Sequence, residues 1–272
     1  MRATFINSRY KQMDLGIKNK IVVITGGAKG IGEATTRMLA DEGAIPVMID
    51  RDAPAGEKLQ QELKAQGKET FLMLLEIGEA DNCKKAIDQT IEKYGRIDAL
   101  INNVGVNDNV GLANGSPEEY IESLKKNLFH YYNMAHYALP HLKESTGSIV
   151  NISSKVAVTG QGNTSGYSSA KGAILSLTRE WAAELLPFGI RVNALVPSEV
   201  MTPLYRQWLG TFENPEEKLQ IIMSKMPLGK RMTRPEEIAA MVVFLISAQA
   251  SHITGQHLFV DAGYTHLDRA LT

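Results

Sequence analysis

Short, β-branched apolar runs alternate with amphipathic stretches along nearly the whole chain. The first run, IVVI at 21–24, is closed by Thr25-Gly26-Gly27, and a helical stretch over 31–42 ends at Gly43. Further continuous runs stand at 45–49, 70–75, 97–101, 148–152, 190–196 and 257–260. Each reads as a strand buried on both faces. Helical periodicity fills the gaps at 55–66, 80–94, 117–142, 168–186 and 235–247. Ser116-Pro117-Glu118-Glu119 opens the longest helix with an N-cap, a proline at the first helical position and early acids. Apolar strands alternating with helices predict a parallel sheet covered on both faces. With right-handed crossovers this becomes a doubly wound, Rossmann-type α/β fold with a mainly seven-stranded sheet. No second series and no Pro/Gly/Ser-rich linker appears, so the pattern predicts one domain at 20–263. An N-terminal arm (1–19) and a C-terminal tail (264–272) flank it, and 199–226, where the rhythm breaks, reads as a lid.

Composition narrows the function classes. Of 272 residues, 29 are Lys or Arg and 30 Asp or Glu, a formal charge of −1. Nucleic-acid and anionic-membrane binders need a basic excess, and none is present. The longest aliphatic runs, such as VVFLI at 242–246, are far shorter than the ~20 residues of a membrane span. The lone Cys83 cannot form an internal disulfide and fits a reducing compartment, so a soluble, cytoplasmic protein is expected. Residues 1–13 hold Arg2, Arg9 and Lys11 with no acid, loosely like a transit peptide; a plain arm, or a start at Met13, are the alternatives.

Thr25-Gly26-Gly27-Ala28-Lys29-Gly30-Ile31-Gly32 lies between the first strand and the first helix. Gly26, Gly30 and Gly32 are spaced G-x3-G-x-G. Glycines there let the backbone turn tightly and approach a pyrophosphate at a helix N-terminus. Asp50 ends the second strand, where a carboxylate accepts from the adenosine ribose hydroxyls and repels a 2′-phosphate. That favours NAD, while Arg51 and Lys29 leave NADP open. Tyr167 and Lys171 are four residues apart, hence on one face of a helix. An ammonium beside a phenol, together with a cationic nicotinamide, favours phenolate and equips Tyr167 as a base. The histidines His130, His136 and His141 lack metal-site spacing, one cysteine makes no zinc cluster, and no G-x-S-x-G elbow occurs.

Taken together, TGGAKGIG at 25–32, NNVG at 102–105, Ser154 and Tyr167-x3-Lys171 resemble the short-chain dehydrogenase/reductase family over 20–263. The resemblance implies a catalytic set of Asn127, Ser154, Tyr167 and Lys171: Ser154 on the reacting oxygen, Lys171 also on the nicotinamide ribose, Asn127 holding a relay water. It implies cofactor contacts from Gly26, Lys29, Gly30, Ile31, Gly32, Asp50 and Arg51 on the adenosine side. Glu76, Ile77, Asn103, Val104 and Gly105 follow, with Tyr167, Lys171, Pro197, Val200 and Thr202 toward the nicotinamide. Three departures stand out: Val104 where alanine is common, Ser198 where glycine is usual after proline, and Glu76 in place of an aspartate.

Substrate recognition falls to the variable segments. Asn107, Gln161, Asn163, Glu199 and Trp208, beside Ser154 and Tyr167, offer carboxylate, amides and an aromatic ring, which suit a polyhydroxylated ligand. Residues 129–143, 153–167, 199–205 and 263–271 resemble the bacterial L-fucose dehydrogenases within the family. That implies oxidation of the anomeric hydroxyl of L-fucose or a related aldopyranose to the 1,5-lactone. A 3-oxoacyl thioester, hydroxysteroid or other polyol enzyme is the alternative, and a non-catalytic NAD-binding regulator another. The helix at 235–247 is apolar on more than one face from Met241 onward, which calls for cover on both sides. The family's homotetramer supplies such cover.

Overall fold

The computed structural model describes residues 13–268. Seven parallel strands form one sheet in the order β3-β2-β1-β4-β5-β6-β7. They are β1 (Ile21–Thr25), β2 (Ile45–Asp50), β3 (Phe71–Leu74), β4 (Ala99–Asn102), β5 (Ser148–Ile152), β6 (Arg191–Pro197) and β7 (His257–Val260). Because β1 pairs with both β2 and β4, the winding reverses between β1 and β4. A crevice opens at the C-terminal strand ends there, the place where such sheets bind ligands.

Helices cover both faces. α1 (Gly30–Asp41), α2 (Ala53–Ala65) and α9 (Pro235–Ile246) lie on one side. On the other are α3 (Ala80–Tyr94), α5 (His130–Ser145) and α6 (Ser165–Glu184). α4 (Pro117–Leu124) precedes α5, opened by a full capping box between Ser116 and Glu119. The single long helix expected over 117–142 is interrupted by a π turn at Lys125–Phe129, which carries Asn127. The lid resolves into α7 (Pro203–Leu209) and α8 (Pro215–Ser224). α6 starts three residues earlier than the periodicity implied, which brings Tyr167 into its first turn.

The all-round apolar character of α9 is largely satisfied inside this chain. Ile238, Val242, Val243, Leu245 and Ile246 are buried in one cluster with β1, β5, β6 and α1, leaving Met241 and Phe244 half-buried. The polypeptide just ahead of β1 docks on the same cluster: Ile17 is buried, and Ala248 N–H donates to the Leu15 carbonyl at 3.0 Å. Residues 1–12 of the expected arm and 269–272 of the expected tail lie outside the described residues.

Polar side chains stitch the strand ends. Buried Asn102 donates to the Asn151 amide oxygen at 3.0 Å, and Asn151 donates to Thr178 on α6 at 3.0 Å. Each satisfies a group whose burial would otherwise cost about 1–3 kcal/mol. The chain thereby locks α6, which carries Tyr167 and Lys171, to the central strands.

Candidate active site

The glycine loop leaves β1 and is fastened from three directions. Gly26 N–H donates to the Ile49 carbonyl at 2.7 Å. Asn103 Nδ2 donates to the carbonyls of Thr25 and Gly26 at 3.0 and 3.2 Å. Asp50 Oδ2 accepts from Ala28 N–H at 3.0 Å, while Oδ1 accepts from Asp52 N–H at 3.0 Å. Gly26 and Gly30 lie at φ +64 and +56, the left-handed region that glycine adopts without strain. A Cβ on Gly32 would overlap the Gly26 carbonyl oxygen, so only glycine closes this turn. Val104 sits where a Cβ on Gly26 would meet it at 3.0 Å; its extra methyls occupy space the glycine leaves open.

Two connected hollows run along the strand ends. One, of about 650 Å³, lies over β2 and β3 and includes Asp50, Arg51, Glu76 and Ile77. The next, of about 780 Å³, passes the glycine loop to Tyr167 and Lys171 and takes in Lys29, Gly30, Ile31, Asn103, Val104 and Gly105, with Pro197, Val200 and Thr202 on its far wall. A Cβ on Gly105 would stand 3.0 Å from Lys171 Nζ and press on the ammonium, so the bare backbone leaves Lys171 its place. The elongated cleft, with the glycine loop at its middle and Lys171 and Gly105 at one end, has the shape and the bare backbone that a dinucleotide requires.

Both cations beside Asp50 are already paired. Lys29 forms an ion pair with Asp52, and Arg51 one with Glu76 at 2.8 Å. Two cations therefore face three carboxylates, which is an unfavourable setting for a further phosphate dianion.

Ser154 follows β5 and opens a 3₁₀ turn at Lys155–Ala157. Its hydroxyl is hydrogen-bonded to the Tyr167 phenol. Burial pushes that phenol up to about 12, the Ser154 bond opposes this, and the Glu199 carboxylate adds to it. Lys171 is 2% exposed, and burial pulls its ammonium down to about 7. Its Nζ donates to Tyr131 Oη at 3.0 Å and to the Ile152 carbonyl at 2.8 Å, and lies 5.6 Å from the Tyr167 ring centre. The expectation that Lys171 lowers the phenol is thus not met by the chain alone. Burial sets the direction of the shift, and the Lys171 ammonium is turned toward Tyr131 and the backbone. Asn127 Oδ1 accepts from Val106 N–H at 2.7 Å and Nδ2 donates to the Ser123 carbonyl at 3.0 Å. Its side chain therefore fixes the 104–106 backbone against Lys171.

A third cavity, of about 610 Å³, opens from Ser154 and Tyr167 toward the lid. Asn107, Gln161, Glu199 and Trp208 line it, whereas Asn163 does not; it is exposed at φ +54, against Gly111. Trp208 packs edge-on against Tyr205 and Phe212, with ring centres 5.1 and 4.9 Å apart. Sequence reasoning missed Tyr131 and Lys155. Tyr131 stands one turn beyond Asn127, which could have flagged it; the position next to Ser154 is the only sequence signal for Lys155. Among the described residues, no group of three or more His, Cys, Asp or Glu is placed to hold a metal ion. No helix among them is long and apolar enough to cross a membrane.

A family model described as enoyl-(acyl carrier protein) reductase matches residues 26–265. The 3-oxoacyl-[acyl-carrier-protein] reductase FabG of Thermotoga maritima is 34% identical over 248 residues, covering 91% of this chain and 98% of its own length. The L-fucose dehydrogenase of Oryctolagus cuniculus is 34% identical over 245 residues, covering 90% of this chain and 84% of its own. Among solved structures, Cj0485 dehydrogenase superposes with a TM-score of 0.90 at 46% identity, over 96% of this chain and 99% of that one. The ligand-free aldohexose dehydrogenase of Thermoplasma acidophilum gives 0.84 at 31% identity, over 93% and 96%. With the parallel sheet, the glycine-floored cleft and the Ser154–Tyr167–Lys171 cluster at its end, the chain belongs to the short-chain dehydrogenase/reductase family and is an NAD(P)-dependent oxidoreductase of the alcohol–carbonyl class.

Proposed function

We propose that the enzyme uses NAD to oxidise the anomeric hydroxyl of L-fucose or a related aldopyranose to the 1,5-lactone. The observation that carries this reading is the set of polar side chains in the cavity beside Ser154 and Tyr167, where Glu199, Asn107 and Gln161 stand with the indole of Trp208 among apolar neighbours such as Val156, Leu204 and Ile222. Hydroxyls of a sugar both donate and accept, so they need carboxylate and amide partners, and the C–H face of the ring packs on an aromatic plane. An L-fucose dehydrogenase and an aldohexose dehydrogenase among the relatives support it.

In this reading Ser154 hydrogen-bonds the C1 oxygen and Tyr167 Oη accepts its proton. Asn127, Gly105 and Lys171 shape the end of the cleft where the nicotinamide ribose would lie, with Lys171 as its donor. Oxidised NAD, when bound, would supply the hydride acceptor and a positive charge that favours phenolate at Tyr167. The chain leaves Tyr167 a reluctant base, so its proton transfer waits on a loaded cleft.

For the adenosine end, NAD is favoured because Lys29 and Arg51 are engaged by Asp52 and Glu76. Asp50 spends one lone pair of each oxygen on backbone amides and keeps others for ribose hydroxyls. Half-exposed β7 at the sheet edge and exposed Phe129 and Tyr132 on the α5 side support a homotetramer, to be checked by mass in solution. The neutral thiol Cys83 suits the cytoplasm.

A second reading has one feature in its favour. Lys218 and Lys225 of the lid side also line the cavity and would suit an anionic acyl-carrier substrate; the Thermotoga relative is named a 3-oxoacyl-[acyl-carrier-protein] reductase. The test is a panel of L-fucose, L-galactose and D-arabinose with NAD⁺ and NADP⁺, run beside reduction of an acetoacetyl thioester. Aldose turnover with NAD⁺ is expected. Thioester reduction without aldose turnover would replace the sugar reading by the second.

A further inference from the structure

Lys155 and Glu199 come from the ends of neighbouring strands, β5 and β6, and form an ion pair inside the substrate cavity. Neither lines the dinucleotide cleft. Their side chains are only 10% and 17% exposed. Four separate elements hold them. The 3₁₀ turn after Ser154 fixes Lys155, and the Glu199 carbonyl accepts from Thr233 N–H at 2.9 Å. From α7, Tyr205 donates its hydroxyl to Glu199 Oε2 at 2.6 Å. Beyond β7, the Tyr264 ring lies 4.0 Å from Lys155 Nζ.

Stability does not account for such a pair. Burying two charges costs about what their attraction returns, and apolar replacements are often as stable. A cavity wall is a costly place for it unless a ligand uses it. Among the described residues Glu199 Oε1 accepts from Lys155 and Oε2 from Tyr205, each oxygen keeping lone-pair capacity; of the ammonium's three N–H donors the carboxylate takes one, and the Tyr264 ring lies beside it. A fixed donor beside a fixed acceptor matches adjacent hydroxyls on a sugar ring, one received by the ammonium and its neighbour donating to the carboxylate. Because Lys155 directly follows Ser154, the pair addresses ring positions near the reacting carbon.

We infer that Lys155 and Glu199 act as one specificity unit that reads two adjacent hydroxyls of the substrate. The inference rests on the sugar reading above and adds Lys155 to it. The experiment compares Lys155→Met and Glu199→Gln with wild type on the preferred aldose and on its 2-, 3- and 4-deoxy analogues. Each variant is expected to lose about 10- to 100-fold in kcat/KM on the parent sugar, mostly through KM, as for a lost hydrogen bond to a charged group. On the analogue lacking the hydroxyl it reads, each penalty should shrink to within threefold, and the two analogues should differ by one ring position. NAD affinity should stay unchanged in both, which also reports folding. Glu199→Gln, isosteric with the native side chain, carries the test alone should Lys155→Met not fold. Equal penalties on the parent and every analogue, or none at all, would overturn the inference and leave the sugar reading standing. No aldose turnover by the wild-type enzyme would overturn both.

Discussion

Gly32 is the tightest point of the cofactor loop, and adding one methyl there tests the whole construction. A Cβ at this position would overlap the carbonyl oxygen of Gly26 and stand 2.8 Å from its carbonyl carbon. Carbon atoms settle at roughly 3.5–4.0 Å, so loop and helix must separate by about 1 Å or more. The separation strains the bonds that fasten Gly26, from its N–H to Ile49 at 2.7 Å and to its carbonyl from Asn103 at 3.2 Å. Overpacking costs about 1–3 kcal/mol and each lost hydrogen bond about 1. Gly32→Ala should therefore lose roughly 2–5 kcal/mol, a Tm drop of about 5–15 °C for a chain of this size. A loop displaced by about 1 Å misdirects the amides proposed to hold the pyrophosphate, and NAD affinity should fall by about 100-fold. Calorimetric unfolding and titration calorimetry with NAD measure the two effects. Gly160→Ala is the control, since a Cβ there meets nothing within 4 Å and the residue has no positive φ. Unchanged affinity and a Tm within about 2 °C of wild type in Gly32→Ala would refute the close approach and the cradle built on it.

Other outcomes follow from the same geometry. Tyr167→Phe removes the proton acceptor while keeping the ring, so kcat should fall by about 10³-fold or more with NAD affinity within threefold; steady-state kinetics and titration separate the two. Because burial holds the phenol near 12, oxidation should accelerate as pH rises from 7 to 10, read from initial rates in matched buffers. Asp52→Asn combined with Glu76→Gln frees Lys29 and Arg51, and the NADP⁺ to NAD⁺ ratio of kcat/KM should rise by about tenfold.

Much of this was legible because it is local. Strand and helix periods, the glycine spacing and the four-residue step from Tyr167 to Lys171 each lie within a few residues, and they led to the observed sheet and to the cleft. The misses have physical causes. The π turn at Lys125–Phe129 has no glycine or proline to announce it. Its extra residue is held by tertiary contacts, among them Asn127 bonding to Val106 across 21 positions. The early start of α6 was hidden because Ser165 and Gly166 carry no apolar period. Lys155 and Glu199 are 44 residues apart and meet only because β5 and β6 pair in register. The balance at Tyr167 was beyond reach for the same reason: motif spacing conveys which groups are near one another, while burial, which decides the direction, belongs to the packed fold.

Lys171 shows what the site costs the fold. An exposed lysine titrates near 10.5, yet burial brings Lys171 to about 7. The folded value lies below the unfolded one, so between pH 7 and 10.5 the unfolded chain binds more protons and stability rises with pH across that window. At neutral pH the buried ammonium is therefore a net burden, of order a few kcal/mol by linkage. Lys171→Met removes it. Tyr131 keeps its own bond to the Ile152 carbonyl at 2.8 Å, so no buried hydroxyl is orphaned by the change. The variant should unfold several degrees higher than wild type at pH 7, with the gap closing toward pH 10, while turnover falls by at least about 10²-fold. Thermal unfolding at both pH values beside an activity assay decides it. A variant less stable than wild type at pH 7 would mean that the two hydrogen bonds of the ammonium outweigh its desolvation, and that Lys171 supports the fold as well as the chemistry.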